Sequence, residues 1–221
     1  GTPSFNWGAA EYDETVLSIP SSGVLTKSTI LGETLSTTGQ GTFAWPSFLP
    51  GGKHAVVTRL NSRDSVQSAR IEVVDLENMT SKPLIESAFN AKYAPSGHLV
   101  FARDASLWAV PFDADSLKIL GDQVPVLSEL ESDGRRGTAV YSFSKDGRLI
   151  YLRGTDTSGT GAGRILSSIS RDGQRNDLEV DNQRYGHLNL SPDERDLSLT
   201  IYEEGGSDIW VLDLEREIFG R

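Results

Sequence analysis

Tyr93-Ala94-Pro95-Ser96-Gly97-His98-Leu99-Val100-Phe101-Ala102 decides the reading of this chain, because its pattern returns three more times. An aromatic or apolar anchor stands before a tight turn, and an apolar strand follows. The other copies begin Phe48-Leu49-Pro50-Gly51-Gly52-Lys53, Phe143-Ser144-Lys145-Asp146-Gly147-Arg148 and Leu190-Ser191-Pro192-Asp193-Glu194-Arg195. A degraded fifth copy starts at Trp7, so anchors at 7, 48, 93, 143 and 190 lie 41, 45, 50 and 47 residues apart. That is the length of one four-stranded propeller blade. The expected fold is therefore all-β, a β-propeller of about five four-stranded blades.

The turn chemistry gives the repeat a physical basis. Pro presets φ early in the turn, Gly takes a positive φ, and a Lys, Arg or His precedes the next strand. Second strands are expected at 15–19, 55–58, 99–102, 149–152 and 197–201, all rich in β-branched or aromatic residues. Third strands follow at 71–76, 107–112, 165–169 and 209–214, where Val74-Asp75-Leu76 returns as Leu212-Asp213-Leu214. The anchors Trp7, Phe48, Tyr93, Phe143 and Leu190 suit packing between blades. Two turns depart from the pattern: Ala9-Ala10-Glu11-Tyr12-Asp13-Glu14 in the first unit, and Glu194 where the turn glycine belongs in the fifth.

No segment carries a sustained helical period, and the 22 Gly and 9 Pro punctuate turns rather than gather into a linker. One propeller domain over 1–221 is expected, with blades near 1–42, 43–87, 88–130, 131–180 and 181–221. Propellers usually have more blades, so the chain also reads as a fragment of a larger one, with terminal blades open to self-association.

Composition narrows function mainly by exclusion. The 31 acidic and 21 basic residues give a net charge of −10, which repels polyphosphate and argues against nucleic acid as partner. The absence of cysteine removes disulfides, thiol nucleophiles and Cys-ligated zinc. No apolar run is long enough to span a bilayer, and the Gly-Thr-Pro start carries no leader-like segment. Membrane insertion by this chain is not expected.

Catalytic signatures are thin. Gly159-Thr160-Gly161-Ala162-Gly163 leads into a strand, whereas a dinucleotide loop leads into a helix, so it reads as a hairpin loop. His54, His98 and His187 are too scattered for a local metal motif. There is no G-x-S-x-G elbow for a serine hydrolase. Asp113-Ala114-Asp115-Ser116 and Glu11-Tyr12-Asp13-Glu14 cluster carboxylates without the spacing of a calcium loop, and read as solvated turns. No catalytic residue, metal ligand or cofactor is assigned.

The chain resembles the TolB-like, WD-type β-propeller repeats of bacteria, nearest to the propeller region that follows the kinase domain in acidobacterial-type serine/threonine protein kinases. Three stretches carry the likeness: 45–53; 93–103 with 107–113 and 121–127; and Ser191-Pro192-Asp193 with 208–214. The resemblance implies a non-catalytic sensing or interaction module of a larger bacterial protein, since the kinase motifs lie in another domain. It also favours an extracytoplasmic or periplasmic location.

On this reading a protein segment or small ligand binds where inner strands start. The ligand-binding candidates are Trp45, Asn90, Tyr141, Arg184, Tyr185 and His187, because aromatic residues and Arg dominate binding hot spots. Two rivals stand beside it: a hydrolase of lactonase or glycosidase type using channel carboxylates, and an assembly unit that completes a ring with another chain.

Overall fold

The computed structural model describes residues 6–12, 15–20, 26–29, 34–36, 42–60, 69–134, 137–154, 164–181, 183–191 and 193–220, with side chains from residue 43 onward. All of the regular structure among them is β.

The first sheet is a meander of β1 (Asn6–Tyr12), β2 (Thr15–Pro20), β3 (Thr26–Thr29) and β4 (Thr34–Ser36). The second repeats the order with β5 (Thr42–Phe48), β6 (His54–Leu60), β7 (Ala69–Asp75) and β8 (Thr80–Glu86). The third contains β9 (Phe89–Ala94), β10 (His98–Arg103), β11 (Ser106–Asp113), β12 (Lys118–Ile119) and β13 (Val124–Leu127). A hairpin of β14 (Ser132–Asp133) and β15 (Thr138–Ala139) follows. The fourth sheet runs β16 (Tyr141–Phe143), β17 (Leu149–Arg153), β18 (Ile165–Ile169) and β19 (Arg175–Asp177). The fifth runs β20 (Tyr185–Leu190), β21 (Asp196–Glu203), β22 (Gly206–Asp213) and β23 (Ile218–Gly220). Sequential antiparallel meanders of this kind are the blades of a β-propeller.

The third sheet differs from the expected four strands. The outer edge of β11 is shared end to end, β12 pairing Phe112 and Asp113 while β13 pairs Leu107 to Ala109. Pro111 lies between the two stretches and has no amide hydrogen to donate. Its carbonyl still accepts from Leu120 N at 2.9 Å, after which the chain leaves the edge and returns as β13.

The chain forms two compact packing units, one of residues 1–93, 97–127 and 132–139, the other of 94–96, 128–131 and 140–221. In the first unit, strand alternation sends Ile71 and Val73 of β7 into a core with Leu99, Phe101, Val110 and Phe112 of the third sheet. The opposite face of the second sheet packs Phe43, Ala55, Val57, Val74 and Leu76 together. In the second unit, Ile150, Leu152 and Leu166 of the fourth sheet pack with Leu188, Leu197, Leu199, Ile201 and Leu212 of the fifth. Burying each such side chain contributes about 1.5–3 kcal/mol.

The described anchors pack, as their character implies. Phe48 lies against the Phe43 cluster, Tyr93 meets Phe112 edge-on at 6.5 Å, and Leu190 packs against the fifth-sheet core. Phe143 stacks on Tyr141 at 6.3 Å. The side chain of Trp7 lies outside the described residues, as do most of the Gly-rich stretch and Asp13-Glu14.

The turns follow the expected chemistry, with one substitution absorbed. Gly51, Gly52, Gly97 and Gly147 all take positive φ, and Glu194 stands in for the fifth-unit glycine at φ 64°. Its carboxylate accepts a hydrogen bond from Lys145 N at 2.8 Å.

Candidate functional site

Of the six sequence candidates, Trp45 and Asn90 fall in the first unit and the other four in the second. Trp45 lies in a β-bulge of β5, between Ala44 and Ser47, with φ 53°, and is half-buried. Asn90 takes φ 51° on β9 and is buried. Its backbone N–H donates to Thr58 Oγ1 at 2.8 Å and its Nδ2 donates to the Ala139 carbonyl at 3.0 Å. Asn is among the few residues that accept a left-handed backbone readily. Here it uses that conformation to tie three β segments together.

In the second unit Tyr141 and Tyr185 are buried. Desolvation raises the Tyr141 hydroxyl well above the ordinary phenol range. Tyr185 stacks on Phe219 at 6.1 Å, and its hydroxyl donates to the Asp181 carbonyl. Burial, then the nearby Asp181 charge, pushes that hydroxyl up to about 12. Both tyrosines therefore stay neutral and hold the frame.

Arg184 and His187 are exposed and flank Tyr185 and Gly186 at a bulge of β20, between Tyr185 and Leu188. Three hydrogen bonds hold the backbone at 183–185. Tyr202 N donates to the Arg184 carbonyl at 3.0 Å, Tyr185 N donates to Gln183 O at 3.0 Å, and the Arg164 guanidinium donates to the Tyr185 carbonyl. Arg164 is itself held by Glu131 at 2.6 Å. The Tyr202 ring lies over Gly186 so closely that a Cβ there would sit 2.6 Å from it. A cation and an imidazole are thus exposed on either side of the bulge, with the Tyr202 ring over Gly186 between them.

Sequence reading missed Tyr202, Arg164 and Glu131. No repeat position pointed to these three; among the residues that were nominated, Trp45, Asn90 and His187 each stand three residues before an anchor, at 48, 93 and 190. Both Trp45 and Asn90 leave the regular pleat at that place.

The carboxylates of the turns are committed locally. Asp75, Asp113 and Asp213 each accept from backbone amides two and three residues on, at 2.9 to 3.3 Å. Hydrogen bonding holds all three below the usual carboxylate range, led by the Asn78 side chain at Asp75, by Ser116 Oγ at Asp113 and by the Arg216 amide at Asp213. Asp113 of the candidate calcium turn is a backbone cap. No group of three or more His, Asp or Glu that could hold a metal occurs among the described residues. No helix there is long and apolar enough to cross a membrane.

No protein-family model matches the chain, and no curated protein matches it. Solved structures do. TolB from Acinetobacter baumannii superposes with a TM-score of 0.63 at 14% identity, over 89% of this chain and 48% of that one. A putative TolB from Agrobacterium tumefaciens gives 0.68 at 15%, over 99% and 80%. The tricorn protease gives 0.67 at 15%, over 99% and only 22%. The chain thus spans about half the length of the Acinetobacter TolB and about a fifth of the tricorn protease. At these identities the likeness is one of fold: a TolB-like β-propeller.

Proposed function

We propose that this chain is a non-catalytic propeller module that recognises a segment of a partner protein, with Arg184 and His187 as its contact groups. The observation that carries the reading is the hydrogen-bonded backbone at 183–185, with buried Tyr185 between it and the bulge, next to which Arg184 and His187 are both exposed. A backbone ordered before binding loses little entropy on association, and Arg near an aromatic ring is the composition of a binding hot spot. Of the other candidates in that unit, Tyr141 and Tyr185 are assigned a supporting role; within the first unit, half-buried Trp45 is assigned a contact role of its own and Asn90 a supporting one.

The commitment of turn carboxylates to backbone amides supports the non-catalytic reading, because an acid already accepting two amides is poorly placed to exchange protons with substrate. We further assign the chain to one propeller domain, a part of a larger bacterial protein with an extracytoplasmic location. Linkage to a serine/threonine kinase is the finer form of that assignment, and rests on the sequence resemblance at 93–113 and 121–127.

The test is affinity capture with mass-spectrometric identification, comparing the native chain with Arg184→Ala/His187→Ala and with a control, Lys145→Ala. The reading expects a partner retained by the native chain and control and lost by the double variant. An identical set of captured proteins in all three refutes it, as does turnover of lactone or glycoside substrates by the chain.

A further inference from the structure

The inner strand of the fourth sheet reaches β17 in two pieces. Tyr141, Ser142 and Phe143 pair with Tyr151, Ile150 and Leu149. Further along the same edge, Glu131 N donates to the Leu152 carbonyl at 2.8 Å and Gly154 N to the Glu129 carbonyl at 2.9 Å. Val140 joins the pieces: its N–H donates to the Glu131 carbonyl at 3.1 Å, and its carbonyl accepts from Leu152 N at 3.0 Å. The hairpin of β14 and β15 is therefore an insertion into this strand, and its two ends are bonded to each other. It packs with the first unit, although Glu131 and Val140 belong to the second.

Within the first unit the insertion meets strained backbone. Gly137, at φ 65°, rests on Thr58, Leu60 and Trp45: a Cβ there would lie 3.1 Å from Thr58 Cγ2 and 3.5 Å from both Leu60 Cδ2 and Trp45 Cδ1. Asn90 Nδ2 donates to the Ala139 carbonyl at 3.0 Å, and Ser132 Oγ donates to the Asp104 carbonyl at 2.8 Å. Trp45, Asn90 and Asp104, which all receive the insertion, have φ of 53°, 51° and 52°. For a side chain as bulky as Trp this backbone is an outlier, and the bulge of β5 re-aims its ring. Strain of this kind persists where the surroundings over-determine it, and it gathers at ligand clamps and switches.

We propose that the insertion carrying β14 and β15 is a displaceable strap, an autoinhibitory contact in which the chain fills the Trp45 site with a segment of itself. What it excludes is an extended peptide of the same chemistry, with a carbonyl for Asn90 Nδ2 and a glycine against Trp45, Thr58 and Leu60. The bond between Val140 and Glu131 closes the base of the strap, so it lifts while 129–131 and 140–143 stay on β17. Its own ladder is short, pairing Ser132 with Ala139 and Asp133 with Thr138. Segments so lightly paired open well below the free energy of global unfolding. A site open for only a fraction of the time binds more weakly by that fraction, so release of the strap tightens binding without adding a contact. The proposal rests on the contact role assigned to Trp45 and goes beyond it in naming what covers that residue and what replaces the cover.

The experiment joins two readouts. Native-state hydrogen exchange followed by mass spectrometry compares the native chain with Gly137→Val, which drives a branched side chain into Thr58, and with the milder Ser132→Ala. Expected is exchange faster by at least about tenfold at 132–139, with β10, β17 and β21 unchanged. Equal acceleration in every strand, or none in either variant, overturns the strap; should Gly137→Val fail to fold, Ser132→Ala decides. Fluorescence anisotropy then follows a labelled synthetic peptide of residues 132–140. It should bind the opened variant at least about tenfold more tightly than the native chain, and lose that binding on Trp45→Ala. A peptide that binds both chains alike, binds neither or ignores Trp45→Ala overturns the proposal. Exchange reads the strap with no partner present, the Trp45→Ala arm reads the contact role, and capture through Arg184 and His187 reads the second unit, so each fails on its own.

Discussion

Removing the carboxylate of Glu72 tests whether the polar end of the second sheet is held by a buried ion cluster. Glu72 is 2% exposed and sits on β7 opposite Val57, on the face that packs Val57 and Val74. Its Oε1 accepts Arg70 Nε at 2.7 Å, with Arg70 NH2 also at 2.7 Å, and its Oε2 accepts Ser81 Oγ at 2.7 Å. Arg59, nearly buried, lies 3.7 Å away with its guanidinium 4.7 Å above the Phe43 ring. Its Nε has no hydrogen-bond partner among the described residues, so the carboxylate supplies much of what compensates that buried cation.

Glu72→Ala leaves Arg59 and Arg70 facing each other across the β6–β7 ladder, where they are a direct register pair. Breaking a buried pair by deleting one partner costs about 3–5 kcal/mol. Glu72→Gln keeps an acceptor for one arginine and Ser81 but loses the charge, and is expected to cost about 1.5–3 kcal/mol, the value of a hydrogen bond to a charged group. Urea denaturation followed by circular dichroism, in low and high salt, measures both. The cost should persist in high salt, because buried pairs are screened far less than exposed ones. A loss below about 1 kcal/mol for Glu72→Ala, the size of an exposed ion pair, or one that vanishes in salt, refutes the reasoning.

Glu194 holds a left-handed backbone that costs a non-glycine residue about 1–2 kcal/mol, while its carboxylate bonds Lys145 N. Glu194→Ala keeps the strain and loses the bond, whereas Glu194→Gly loses both, so the Gly variant should unfold at higher denaturant than the Ala variant by about 1 kcal/mol. Equal midpoints would show that the turn does not feel this φ. Asp75, Asp113, Asp146, Asp172, Asp177, Asp193 and Asp213 all sit below the ordinary value of 3.8, mainly through hydrogen bonds from side chains or backbone amides. A depressed carboxylate contributes stability above its unfolded pKa and loses it as pH falls through its folded one. Melting temperature should therefore fall as pH drops below about 4. Ser144→Ala, which removes the main donor to Asp146, should flatten that slope; an unchanged slope would remove Asp146 from the account.

The fold was legible because its signals are local. A turn needs Pro and Gly at set places, and alternation of apolar residues needs only the strand itself, so β6, β10, β17 and β21 cover the stretches expected for them. The break at Pro111 was visible as a residue but not as a strand handover, which depends on where β13 returns. At the site, sequence could nominate Tyr185 and Arg184 by type yet could not tell which was covered. That depends on Phe219, Asp181 and Arg164, up to 34 residues away, and on a bulge that shifts the pleat by one residue. Asn90 was nominated by type, but its bonding was out of reach for the same reason: its two bonds reach 32 and 49 residues along the chain.

The shared edge of β11 bears on how the protein avoids fibrils. One uninterrupted outer strand would offer a foreign chain a long row of amides and carbonyls on which a cross-β stack could grow. Laying β12 and β13 end to end divides that template into two short pieces, and Pro125 within β13 removes one of the few donors left there. Exposed Val124 and Val126 would otherwise make this segment adhesive. The interruption lets the third sheet keep an apolar rim in water without nucleating its own aggregation.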